Sequence, residues 1–86
     1  MQSEHILVVD PVVTLRNFST KDIVLGVKKS SSGKSEMYSL PARSKRKIDL
    51  SAGTYDWAAT AEQTLVKEGS KTFAAGEQYL WDFNLD

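Results

Sequence analysis

The sequence predicts an all-β domain, an antiparallel two-sheet β-sandwich of about seven to eight short strands. Three observations carry that reading. Helical periodicity is almost absent, short alternating apolar and polar runs dominate, and turn residues separate them at intervals of about 8–12 residues. The one alanine-rich stretch, Ala58–Gln63, continues an alternating pattern between Gly53 and Gly69 and so does not read as a helix. Strands this short do not close a roomy barrel, which favours two packed sheets.

The elements follow in chain order. His5–Val9 is a short apolar strand stopped by Asp10-Pro11. Val12–Phe18 alternates, with Val13 and Leu15 on one face, and Asn17, Ser19 and Thr20 supply the turn after it. Asp22–Lys28 turns Ile23, Leu25 and Val27 inward, and the polar segment 29–34 reads as a hairpin loop. Ser35–Leu40 returns, and Pro41-Ala42-Arg43 reverses the chain. Ser44–Leu50 alternates strongly, with Arg46, Ile48 and Leu50 opposite Lys45, Lys47 and Asp49. After the turn Ser51-Ala52-Gly53, the run Gly53–Ala61 puts Tyr55, Trp57, Ala59 and Ala61 on one side. Thr64–Val66 and Lys71–Ala74 flank an expected turn at Glu68-Gly69-Ser70. The last strand follows Ala75-Gly76-Glu77 and aligns Tyr79, Trp81, Phe83 and Leu85.

Composition narrows the possibilities. With 86 residues, 41% of them hydrophobic and 26% charged, the chain reads as a single domain over 1–86. The absence of cysteine excludes a disulfide scaffold, a cysteine zinc site and a thiol nucleophile. No apolar run approaches the roughly 18 residues of a membrane helix. A chain this short buries only about 60% of its unfolded surface. Phe18, Tyr38, Tyr55, Trp57, Phe73, Tyr79, Trp81 and Phe83 are therefore expected mostly inside. The first residues, Met1-Gln2-Ser3-Glu4-His5, lack the basic and apolar pattern of a signal peptide. Net charge is zero, but nine Lys/Arg against two acids lie within residues 16–47.

The run Tyr38–Ala61, Tyr-Ser-Leu-Pro-Ala-Arg-Ser-Lys-Arg-Lys-Ile-Asp-Leu-Ser-Ala-Gly-Thr-Tyr-Asp-Trp-Ala-Ala-Thr-Ala, resembles small immunoglobulin-like β-sandwich domains of bacterial extracellular and cell-envelope proteins. There a strand reading Ile-x-Leu precedes a Gly-Thr-Tyr turn and a strand alternating aromatic residues with alanine. Phe73–Phe83 resembles the final hairpin of the same domains. The resemblance implies an exported or surface location and a non-catalytic accessory or adhesive role. It carries over no binding residue.

Few constellations bear chemistry. His5 is the only histidine, with no second His or Cys to complete a zinc site, so neither a metal nor another cofactor is expected. Asp49 and Asp56 flank the Gly53 turn, and Asp82 lies opposite Trp81, all at positions expected to face solvent. No enzyme activity is expected. Tyr55, Trp57, Tyr79, Trp81 and Phe83 invite a sugar-stacking reading, but a core role is favoured, since each buried ring removes about 150–250 Å² from water. Asn17-Phe18-Ser19 fits the N-glycosylation pattern. The candidate binding set is basic: Lys28, Lys29, Lys34, Arg43, Lys45, Arg46 and Lys47, with Tyr38 placed to stack a base. The favoured expectation is a recognition module for protein or carbohydrate. The alternatives are a module binding nucleic acid or another polyanion through residues 28–47, and a structural domain that oligomerises by strand-edge pairing.

Overall fold

The computed structural model describes residues 9–85. Among these there is no helix, and seven strands form two sheets. They are β1 (Val12–Asn17), β2 (Ile23–Lys29), β3 (Ser35–Leu40), β4 (Lys45–Asp49), β5 (Gly53–Ala61), β6 (Thr64–Phe73) and β7 (Gln78–Phe83). The four-stranded sheet runs β3-β2-β5-β6, antiparallel throughout. The three-stranded sheet runs β4-β1-β7. Here one pairing departs from the all-antiparallel expectation: β1 and β7 run parallel, with Val13 beside Tyr79 and Leu15 beside Trp81. The expected strand His5–Val9 lies outside the described residues except for Val9, which is exposed.

Both sheets turn one face into a shared core, as the alternation requires. β1 contributes Val13 and Leu15, β2 contributes Ile23, Leu25 and Val27, and β4 contributes Ile48. The aromatic residues bridge the sheets. Trp57 of β5 meets Trp81 of β7 edge to face at 5.2 Å, and Phe73 of β6 meets Tyr79 of β7 at 5.0 Å. Edge-to-face geometry suits the quadrupoles of the rings. The expectation that the aromatic side of β5 and β7 is core therefore holds. Phe18 is the exception, 48% exposed with the Arg16 guanidinium over its ring.

The region after β5 corrects a second expectation. There is no turn at Glu68-Gly69-Ser70; β6 runs unbroken through it, and the chain reverses earlier at Glu62-Gln63. Both hairpin residues take positive φ, 53° and 64°, as a two-residue turn of the primed type requires. Neither is the glycine or asparagine that usually announces such a turn. Gly69 serves packing instead: a Cβ there would stand 3.3 Å from the Trp57 indole. A glycine that lets a ring approach its backbone looks, in sequence, like a turn residue.

A candidate anion-binding surface

The eight basic and aromatic residues singled out from sequence do not form one patch. The 29–34 loop and the 43–47 run sit at opposite ends of β3, a six-residue strand, and such a strand spans about 17–20 Å. The set divides into four. Lys28 lies on the outer face of the four-stranded sheet, in register with Ser35 and Asp56. Lys29 and Lys34 line a cleft beside Asp49 and Ser51. Tyr38 and Arg46 meet where the edge strands β3 and β4 adjoin. Arg43, Lys45 and Lys47 share the outward side of β4 and the turn before it.

The third grouping is already engaged. The Arg46 guanidinium lies 5.3 Å from the centre of the Tyr38 ring and reaches the Ser39 carbonyl at 3.4 Å. The Tyr38 hydroxyl donates to the Glu36 carboxylate at 2.6 Å. Burial, and then that hydrogen bond, push the phenol above the usual tyrosine range. Tyr38 thus closes the junction between the two sheets, and its ring is no open platform for a base. Arg46 shares a side of β4 with Ile48, as expected, for they stand in register with buried Leu15 and Val13; Ile48 and Leu50 are buried, while Arg46 is exposed and arches over Tyr38.

The last grouping is open. On β4 the buried side chain is Ile48, so Lys45 and Lys47 point to solvent, opposite Arg16 and Thr14 of β1. Arg16, Phe18, Arg43, Ser44 and Lys45 line a hollow of about 350 Å³ with Asn17 beneath. Arg16 is compensated there: its guanidinium grips Asp82 of β7 through two hydrogen bonds of 2.6 Å. That fork lowers the Asp82 pKa and raises that of Arg16. Among the described residues this is the one ion pair, so Arg43, Lys45 and Lys47 have no carboxylate of their own there.

Arg43 is held in place by its backbone. Its φ of 60° is left-handed, a conformation that costs a non-glycine residue about 1–2 kcal/mol. The turn sustains it through hydrogen bonds from Arg43 N to Ser19 O at 3.2 Å and from Ser44 N to Pro41 O at 3.2 Å. Sequence reasoning missed Arg16, Phe18 and Asp82 as parts of this surface. The signal lay in the β1–β7 pairing, which alternation alone does not disclose.

Asn17 is no glycan acceptor in this fold. It is 2% exposed, and its amide nitrogen donates to the carbonyls of Lys21, Leu40 and Pro41. Asp49, Asp56 and Asp82 are exposed as expected, and no group of three metal-ligating side chains gathers among the described residues. No helix there is long and apolar enough to cross a membrane. No protein-family model matches the chain, and no relative was found among curated proteins.

Proposed function

We propose that this chain is a non-catalytic recognition module, a β-sandwich of immunoglobulin-like type, that engages a polyanion through the outward side of β4. One observation carries the reading: Arg43, Lys45 and Lys47 stand together and exposed, without a carboxylate partner among the described residues. Counterion release from a polyanion rewards such a row of cations. A carbohydrate-stacking role has less to rest on, because Trp81 is 7% exposed and Trp57 packs against the core. The division into four and three strands and the β2–β5 pairing support the immunoglobulin-like type. The strand order departs from the constant-type arrangement, since β1 lies between β4 and β7 rather than beside β2, and β3 and β6 flank β2 and β5 instead of joining β7. An accessory role in an exported or surface protein rests on the sequence resemblance alone.

Chromatography on a heparin matrix tests this. The wild-type chain is expected to elute at distinctly higher salt than the triple variant Arg43→Glu, Lys45→Glu, Lys47→Glu. Arg46→Gln and Lys28→Glu, which alter cations outside the strip, should each shift elution far less. Equal elution of all four would overturn the reading.

A second reading has one observation in its favour. β6 is ten residues long, exposed over Thr64–Ser70, and forms an outer edge of its sheet. It would accept a further strand, although Lys67, Glu68 and Lys71 give it the charged character that discourages such pairing. A mass above 9.6 kDa in solution, insensitive to the β4 substitutions, would favour this reading.

A further inference from the structure

At the Asp49 end of β4, the β2–β3 loop and the β4–β5 turn enclose a separate cleft of about 270 Å³. Its floor is apolar, made of Val27, Leu50 and the Tyr55 ring, all buried. Its rim carries Lys29 and Lys34, with Glu36 and Asp49. The Glu36 carboxylate is already engaged by the Tyr38 hydroxyl.

Lys29 is built into this rim. Its ammonium donates to Ser51 Oγ at 2.7 Å. The Ser51 hydroxyl shares a 3.0 Å hydrogen bond with the Tyr55 hydroxyl, which itself donates to the Ser51 carbonyl at 2.7 Å. One arrangement of protons satisfies the whole chain: Lys29 to Ser51 Oγ, Ser51 to Tyr55, and Tyr55 back to the Ser51 backbone. Gly53 makes the room. Its φ is 146°, and a Cβ at that position would stand 2.9 Å from Lys29 Cε. An ammonium has three N–H donors, so two stay open at the mouth of the cleft, and no ion pair takes them up among the described residues.

We propose that this cleft binds an apolar residue bearing a free carboxylate. The carboxylate sits on Lys29 with Lys34 beside it, and the apolar side chain lies on Val27, Leu50 and Tyr55. The volume falls below the usual range for drug-sized ligands, about 300–1,000 Å³, which fits a single residue. The carboxylate has two possible sources. A free amino acid would also place its ammonium on Asp49, whereas the last residue of a peptide would not.

The test titrates leucine, N-acetyl-leucine and leucinamide into the full chain and follows amide shifts at Lys29 and Ser51 by NMR. Saturable shifts with leucine are expected, with leucinamide at least about tenfold weaker because it lacks the charged acceptor. Binding by leucine but not N-acetyl-leucine identifies a free amino acid; binding by both identifies a chain end. Lys29→Met should keep the folded spectrum and abolish the preference for leucine over leucinamide. Gly53→Ala should weaken leucine binding by displacing Lys29, and Lys29→Met carries the test alone if that variant does not fold. The proposal is overturned if no ligand produces saturable shifts, if leucinamide matches leucine, or if Lys29→Met binds leucine unchanged.

Discussion

Asn17 and the outward side of β4 are neighbours, joined by a hydrogen bond from Asn17 N to Ser44 O at 2.8 Å, yet the fold treats their polar groups in opposite ways. At the junction under β1 everything is used. Asn17 Nδ2 donates to three backbone carbonyls, Oδ1 accepts from Ser19 N at 2.8 Å, and Ser19 Oγ accepts from Leu85 N at 2.6 Å. No buried side-chain polar atom among the described residues lacks a partner. One hydrogen bond away, Arg43, Lys45 and Lys47 have no carboxylate partner among the described residues. The contrast separates polar residues that hold the fold from polar residues with capacity left for a ligand. Lys29 stands between the two, anchored by Ser51 with two donors remaining.

The largest effect that would break this contrast is at Asn17. Replacing it with alanine leaves buried carbonyls and an N–H without partners, at about 1–3 kcal/mol for each unmet group. Asn17→Ala should lower unfolding free energy by about 3 kcal/mol in denaturant titrations, while the folded fraction retains its polyanion affinity. A loss below about 0.5 kcal/mol, the range of ordinary surface substitutions, would mean that the junction is not structural. The Arg43, Lys45 and Lys47 triple reversal should behave in the opposite sense. Its stability should move by no more than about 0.5 kcal/mol per site while binding falls.

The smallest effect is at the Arg16–Asp82 pair, which bears on the comparison because Arg16 is the one ion-paired cation among the described residues. Its side chains are 33% and 44% exposed, so its contribution to stability is slight. The hydrogen bonds from Arg16 hold the Asp82 pKa below its ordinary value. Stability from the pair is therefore complete above the usual carboxylate range, near about pH 4, and is lost as pH falls through the depressed folded value. The stability difference between wild type and Asp82→Asn should be constant from neutral pH down to about 5 and shrink in stronger acid. A difference that ignores pH would contradict this.

Much of the fold was legible because alternation is a local signal. Gly53–Ala61 and Ser35–Leu40 match their strands end to end, and Ile23, Leu25 and Val27 are inward as the pattern demands. What was not legible depends on partners distant in sequence. The parallel β1–β7 pairing, the seat that Gly69 offers to Trp57, and the Glu62-Gln63 turn all follow from packing rather than from local propensity. The candidate surface shows the same limit. The basic run 43–47 was plain, but alternation divides it, sending Arg46 over Tyr38 and Lys45 and Lys47 outward. A small chain needs its aromatic residues inside, which argues for Phe18 in the core, yet its neighbour Arg16 covers it at the surface.

The proposed polyanion binding at the outward side of β4 rests on cations that have no carboxylate partner among the described residues. Its most direct test is the salt dependence of affinity for a thymidine oligonucleotide, wild type against the Arg43, Lys45 and Lys47 triple reversal. Three phosphate contacts to a single strand predict a log–log slope of about −2 for the wild-type chain and a slope near zero for the variant. A flat wild-type profile, or one that the triple reversal leaves unchanged, would contradict the claim.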